Sequence, residues 1–452
     1  MGTSFNPKEL ADFARHYGFH YDICDPVMLI RDVLSDMERG LRGQRSNLPM
    51  IPAYISPAAS MPPGKPVIAL DAGGTNLRAA LVRFDEQGES HAEGMKKTPM
   101  PGTQGRVSAE QFFDQLAEVT APLLEQSPDA VGIGFCFSYP MEITKDADGI
   151  LLAFSKEVDA PDVIGKRIGR GLREALARRK LKAPERIVLL NDTVATLLSG
   201  LVEIPADGGR RTGEDKYCVG SGPVIGLILG TGFNTAYPEK RIPKIGFESE
   251  TAPQIVVCES GNFAPLYLGY LDREYDATTK NPGTYLIEKA CAGAYLGPLT
   301  LQILKQAVMD GVLTFRKSGE FLDWPSLQTR DLNEFMHSPL TGQGLVGGLF
   351  GPDELDGLRS LAYLTSIVTE RGALMAASVV AAMVQRVGEG YDPFIPVRIA
   401  VEGTTYVMYK GMREALESYL HTMLYKDSPR SYVISPVEQA SLFGAAVAAL
   451  ST

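Results

Sequence analysis

The sequence predicts an α/β protein of two domains that face each other across a cleft able to hold a polyphosphate. Three observations carry that reading. The apolar run VIAL at 67–70 passes directly into DAGGTNLR at 71–78. The same order returns in VIGLILGTGFNTAYPE at 224–239, as an apolar strand, a glycine–threonine turn, an asparagine and a second strand. With 452 residues, the chain is long enough for two or three domains, each with a sizeable core. Adjacent glycines let the backbone take positive φ and leave bare N–H groups that can point at an anion. An aspartate at the mouth of such a turn, Asp71, can hold the magnesium that travels with a nucleotide. Taken alone, 71–78 reads better as a plain hairpin turn. Its recurrence is what suggests two units, one per domain, gripping a polyphosphate from both sides.

The remaining elements follow in chain order. Residues 8–46 read as helical and charged, with glycine first at Gly18, and the proline-rich stretch 48–66 reads as an extended connector. A first α/β unit opens at Val67. Ser108 and Gln111 have capping-box spacing. Phe112, Leu116, Val119 and Leu123 then give one apolar helix face, with a kink expected at Pro122. VGIGFCFS at 131–138 reads as a buried strand, 165–182 as a basic helix and ERIVLLND at 185–192 as a second strand. The glycine-rich, charged stretch 198–223 reads as a surface excursion. Residues 284–386 are helical by pattern, and IPVRIAVEGTTY at 395–406 is a strand running into another Gly-Thr turn.

Composition excludes several classes. Hydrophobic residues at 44% and charged residues at 22% are those of a globular protein. A net charge of −10 leaves no basic surplus for nucleic acid or an anionic membrane, though a nucleotide needs only local donors. Cys24, Cys136, Cys218, Cys258 and Cys291 are scattered without CxxC spacing, and the five histidines show no metal-ligand spacing. No signal peptide opens the chain, and Asn6 stands where a myristoylation motif wants Ser or Thr. ALMAASVVAAMV at 373–384 is too short to span a bilayer and reads as a buried helix. A cytoplasmic location is expected.

Taken together, the motifs resemble those of the hexokinase family, in the right order and over most of the chain. The connector is MIPAYI at 50–55, the first phosphate loop DAGGTNLR, and the sugar-binding stretch GFCFSYP at 134–140 followed by FSKEV at 154–158. NDT at 191–193, GTGFNTAY at 230–237, ESGNF at 259–263, NPGTYLIEK at 281–289 and VEGTTY at 401–406 complete the set. The resemblance implies the two-domain actin-like ATPase (ribonuclease-H-like) fold, with a nucleotide and sugar cleft between domains. A small domain of 65–198 is completed by a C-terminal helix at 438–452; the large domain is 199–437, and 1–64 packs on it.

It also implies ATP- and Mg2+-dependent phosphorylation of a hexose, most simply glucose, at its 6-hydroxyl. Phosphoryl transfer to an alcohol needs an oriented hydroxyl, a proton acceptor and donors around the moving group. The resemblance makes Asp192 the general base, and Lys156 a residue that stabilises the phosphoryl group while holding the sugar. Without it, Asp192 is as well read as a helix cap, and Glu259, Glu288 and Lys156 as solvated charges. The sugar pocket it implies contains Ser138, Ser155, Lys156, Asn191, Asp192, Asn234, Glu259 and Glu288. The nucleotide side contains Asp71 (reaching magnesium through water), Gly73, Gly74, Thr75, Asn76 and Arg78. Gly230, Thr231 and Gly232 form the second phosphate turn, and Gly403 and Thr404 flank the adenosine.

Two departures from the family pattern stand out. Glu259-Ser260-Gly261 replaces Glu-Trp-Gly beside a sugar ligand, and Ala440-Ser441-Leu442-Phe443-Gly444-Ala445-Ala446 replaces a glycine- and lysine-containing run on the adenine side. Two rival readings remain: a kinase of the same fold preferring fructose or mannose, and an ATP-driven clamp or sugar sensor without sugar turnover. Small-molecule partners, no nucleic acid, no membrane, and a monomer or homodimer are expected.

Overall fold

The computed structural model describes residues 4–57, 62–86, 88–154, 158–203, 222–425 and 429–451. In chain order the strands are β1 (Ile51–Pro52), β2 (Val67–Gly73), β3 (Asn76–Phe84), β4 (Ser90–Pro99), β5 (Ile133–Phe137), β6 (Met141–Ile143), β7 (Gly149–Leu151) and β8 (Ile187–Leu190). They continue as β9 (Val224–Leu229), β10 (Phe233–Glu239), β11 (Arg241–Ile242), β12 (Phe247–Glu248), β13 (Gln254–Val257), β14 (Val397–Glu402) and β15 (Tyr432–Pro436).

Two sheets organise the chain. One has the order β4-β3-β2-β5-β8 and the other β1-β13-β10-β9-β14-β15. In the first, β4, β3 and β2 are antiparallel neighbours, and β5 and β8 add in parallel. In the second, β13, β10 and β9 are antiparallel, and β14 and β15 add in parallel. Each sheet therefore has the same plan, with a glycine turn at its centre: β2–β3 in one, β9–β10 in the other. The recurrence legible in sequence is a recurrence of topology.

The N-terminal region, expected as one helical stretch, is two α-helices, Pro7–His16 and Pro26–Leu41. Gly18 at φ +75 ends the first. Each helix opens on a capping side chain followed by proline: Asn6 accepts from the Glu9 amide, and Asp25 from that of Val27. Leu10, Phe13, Leu29, Val33 and Met37 from these helices share a core with Leu227, Tyr237, Val256 and the helix Leu355–Val387. That helix is apolar and long enough to cross a membrane by length alone. Its apolar window is 94% buried inside the protein, as expected of a core element.

In the first unit the capping box forms as the spacing predicts, Ser108 Oγ accepting from the Gln111 amide at 3.2 Å and Gln111 Oε1 from that of Ser108 at 2.8 Å. The helix Ala109–Gln126 runs on through Pro122 as one element. The basic helix is shorter than expected, Ile168–Arg178, because Gly165 and Lys180 take positive φ on either side of it. Four cysteines, Cys24, Cys136, Cys258 and Cys291, are buried and unpaired; Cys218, like most of the expected 198–223 excursion, lies outside the described residues.

A final helix, Ala440–Leu450, lies against β5, β2 and the helix Asp192–Glu203. Its small residues allow very close approach. A Cβ on Gly134 would stand 1.7 Å from Ala445 O, and one on Gly444 1.9 Å from Ala195 O. The apolar cluster around this helix mixes residues of both sheets: Ala69, Val82 and Val188 from one, Val224, Ala236 and Ala400 from the other.

Candidate active site

The β2–β3 turn places Asp71 and Arg78 opposite each other in register. Arg78 Nε donates to Asp71 Oδ2 at 2.7 Å, and the carboxylate is buried. Gly74 takes φ +67, and the Tyr139 hydroxyl donates to its carbonyl at 3.0 Å, pinning the turn to β5. The second turn is held from behind. Gly230 O accepts from the Gly293 amide at 2.8 Å and from Thr405 Oγ1 at 2.7 Å, and Thr231 O accepts from the Ala294 amide at 3.1 Å. Gly403 ends β14 at φ +137, where a Cβ would meet the Leu229 carbonyl at 2.3 Å. No side chain fits there, so three backbone turns can converge.

Between them lies a cavity of about 450 Å³ lined by Asp71, Gly73, Asn76, Arg78, Gly230, Thr231, Gly232, Gly403 and Thr404. Of the residues expected on the nucleotide side, Gly74 and Thr75 lie at the tip of the first turn and do not line it. Thr75 is exposed, its hydroxyl accepting from Asn76 Nδ2 at 3.2 Å and its carbonyl from the Met100 amide at 2.8 Å.

An adjoining cavity of about 550 Å³ brings together Ser138, Asn191, Asp192, Asn234, Glu259 and Glu288. Ser155 and Lys156 lie outside the described residues. Asn234 organises one wall: its Nδ2 donates to Glu259 Oε1 at 3.1 Å, and its Oδ1 accepts from the amides of Thr235 and Ser260. Glu259 stands in the left-handed region at φ +55, which turns its side chain off the end of β13. Where the family carries tryptophan, Ser260 is fully buried, its hydroxyl 2.5 Å from that of Thr235. Glu288 Oε2 accepts from the Phe233 amide.

Burial pushes the carboxyls of Glu259 and Glu288 above the usual range. The hydrogen bond from Asn234 to the first and that from the Phe233 amide to the second oppose it, and Asp192 nearby adds to it. Carboxylates held this way are acceptors in want of donors, which is what sugar hydroxyls supply.

Ser138, Asp192, Ile228 and Gly232 line both cavities, so Asp192 stands where the two meet. It opens the helix Asp192–Glu203, yet the cap of that helix is Asn191, whose Oδ1 accepts from the Val194 amide at 2.9 Å. Asp192 Oδ1 accepts from Thr193 Oγ1 at 3.2 Å.

Sequence reading missed Lys97 and Glu402 in the glycine-turn cavity, and Asn262 and Tyr285 in the other. Lys97 arrives through β4, opposite Arg78 in register, and pairing across strands is not written in a single strand. Ser441 belongs to the run 440–446 expected on the adenine side, was given no role of its own there, and accepts from Arg78 at 3.3 Å. Glu402 precedes the Gly-Thr turn, and that position was its only signal. Its carboxyl is pushed up to about 7, first by burial and then by Asp192, with the Thr196 hydroxyl at 3.2 Å opposing.

Comparison with known proteins agrees with this arrangement. Two family models, both described as Hexokinase, match residues 18–202 and 224–451. Hexokinase-2 of Solanum tuberosum is 28% identical over 445 residues, covering 92% of this chain and 86% of its own. Hexokinase-3 of Homo sapiens is 30% identical over 392 residues, covering 82% of this chain and 40% of its own. Among solved structures, a hexokinase from Schistosoma mansoni complexed with glucose superposes with a TM-score of 0.73 at 24% identity, covering 99% of this chain and all of that one; the likeness is one of fold.

Proposed function

The chain belongs to the hexokinase family of sugar-phosphorylating enzymes, and from that premise we propose that it transfers the terminal phosphoryl group of ATP to the 6-hydroxyl of a hexose, glucose foremost. One observation carries the reading. Asp192 lies at the junction of a carboxylate- and amide-lined cavity with a glycine-turn cavity, where an acceptor hydroxyl from one side and a phosphoryl group from the other would have to meet.

The residues present fit the implied nucleotide and its magnesium. Asp71 offers a hard carboxylate whose Oδ2 already accepts from Arg78, a donor set suited to holding a cation through water rather than directly. The glycines of the turns at 73–76, 230–232 and 403–404 let the backbone face the cavity without side-chain bulk. Magnesium bound there would offset phosphate charge. In the sugar cavity Glu259 and Glu288 accept from the sugar hydroxyls, Asn234 donates through Nδ2, and together they orient the ring. Asp192 takes the proton of the attacking hydroxyl on a carboxylate oxygen as the phosphoryl group moves. Lys156 is assigned, on the resemblance alone, to steady that group. Residues 65–198 with 438–452 form one lobe in this reading and 199–437 the other. Closure of the lobes over the sugar excludes water, which would otherwise compete as the acceptor.

The test is an incubation with ATP, magnesium and a panel of hexoses, reading sugar 6-phosphate. Sugar-independent ATP hydrolysis without sugar phosphate would replace this reading by a nucleotide-driven clamp. A faster reaction with fructose or mannose would move the substrate but keep the chemistry. Small-angle scattering with glucose alone should show a smaller radius of gyration, and an unchanged radius at saturation removes sugar-driven closure.

A further inference from the structure

Away from the cleft, the β6–β7 turn, the start of the helix Ile168–Arg178 and the start of β8 enclose another cavity, of about 750 Å³. In a chain of net charge −10, its wall gathers Lys145, Arg167, Arg170, Arg173 and Arg186, with Tyr54 of the connector on one side. The acidic side chains in the same wall are Asp146, Asp148 and Glu185, and two of them are already engaged. Arg167 is ion-paired with Asp146 and lies 3.2 Å from Asp148. Asp148 is buried and also accepts from the amides of Gly149, Gly169 and Arg170. It therefore serves as an internal cap for the helix rather than as a counter-ion for the cavity.

The other cations are differently placed. Arg170 pairs with Glu174 at 2.8 Å, a contact between two exposed side chains. Arg173 spends its donors on the carbonyls of Pro184 and Glu185, at 2.9 and 2.7 Å; these satisfy its N–H groups without neutralising its charge. Arg186 is half-buried, and among the described residues its guanidinium makes no hydrogen bond or ion pair. Burial lowers its pKa and no carboxylate opposes the shift. Lys145, at the turn between β6 and β7, is exposed and equally unpartnered. A desolvated cation with no anion beside it costs free energy, and a bound anion would remove that cost. Guanidinium forks match the oxygens of phosphate in geometry as well as charge. The volume exceeds what a lone small ion fills, so the ligand carries more than its anionic group.

We propose that this cavity is a second ligand site, separate from the cleft, that takes a small phosphorylated metabolite with its phosphate facing Lys145 and Arg186. The site adjoins the cleft through one short element: Met141 and Ile143 of β6 line the carboxylate-lined cavity, and the turn that follows lines this one. The proposal does not rest on the assignment of hexose phosphorylation.

Pyrophosphate is the probe. It is titrated calorimetrically into the full chain and into the Lys145→Ala/Arg186→Ala variant, and hydrogen exchange maps what it protects. The expected result is binding that weakens about tenfold or more in the variant, roughly 1.4 kcal/mol. The melting temperature in phosphate-free buffer should not fall, and protection should fall on 144–148 and 167–173. Equal affinity in the two proteins, protection confined to the turns at 71–78 and 230–232, or no binding overturns it. Should the double variant fold poorly, Lys145→Ala alone touches only an exposed side chain and should still weaken pyrophosphate by about threefold or more; an unchanged affinity there also overturns the proposal.

Discussion

Glu288 Oε2 accepts the amide proton of Phe233 at 2.9 Å, so a carboxylate of the cavity proposed to hold the sugar also fixes the strand that leaves the second glycine turn. The two roles can be separated. Glu288→Gln keeps an acceptor for the amide and removes the charge, whereas Glu288→Ala leaves a buried N–H unsatisfied, a cost of about 1–3 kcal/mol. Both variants are expected to weaken glucose binding in calorimetry. Only the alanine variant should also lose melting temperature.

Asn191 and Asp192, neighbours in sequence, should fail in different ways. Asn191 caps its helix through the Val194 amide, so Asn191→Ala should cost about 1 kcal/mol of stability. Asp192→Asn removes the proposed proton acceptor and should lower kcat roughly 10²–10⁴-fold, with the melting temperature nearly kept. Turnover and thermal unfolding on the same preparations distinguish them. Near-normal turnover in Asp192→Asn would end its assignment as the base.

Arg78 and Asp71 should be coupled. Arg78→Ala strands a buried carboxylate and should cost roughly 2–4 kcal/mol, below the full cost of breaking a buried pair because the guanidinium is partly exposed. It should also raise the KM for ATP. Adding Asp71→Asn to that variant should restore part of the lost stability in urea unfolding while leaving ATP kinetics poor. Additive losses would show that the pair does not act as a unit.

Glu402 should make the nucleotide-free protein lose stability as pH rises. Its carboxyl is pushed up to about 7, against 4.5 in the unfolded chain, so between those values the folded state holds a proton that the unfolded state has released. The stability is full below about 4.5 and declines as pH rises toward about 7. Glu402→Gln removes that slope and should be more stable than wild type at pH 8 by up to about 3 kcal/mol, with no advantage at pH 4.5. Urea unfolding across the range reads the difference.

What the sequence disclosed and what it withheld divide along a physical line. Apolar runs into glycine turns were legible because strand burial and turn geometry are local, and they placed Asp71, Gly230 and Gly403 correctly at the ends of β2, β9 and β14. The capping box at Ser108 and Gln111 was legible for the same reason. The break at Gly18 was missed because one glycine inside a charged helical pattern is a weak signal until its φ is known. Lys97 reaches the glycine-turn cavity through the pairing of β4 with β3, and no local pattern announces such a contact; the segment of Ser441 was placed on that side by its motif, but its contact with Arg78 was not legible. For Asp192, residue type alone left cap and base about even, because both ask for the same residue types, and only the resemblance favoured base; the direction of the Val194 amide assigns the cap to Asn191.

The close fit of the final helix has a consequence for synthesis on the ribosome. The strands of the first sheet are all made by Leu190, but one of its faces is covered by Ala440–Leu450, with Ala445 against Gly134 and Gly444 against Ala195. At about 5–20 residues per second, that cover emerges on the order of ten seconds or more after β8. Until then Ile68, Leu70 and Phe135 can bury on the side of the helix Ala109–Gln126, while Ala69, Cys136 and Val188 lack the cover of the final helix. The nascent chain thus holds a half-covered sheet through most of translation, which makes it a natural client for chaperones that shield apolar surface.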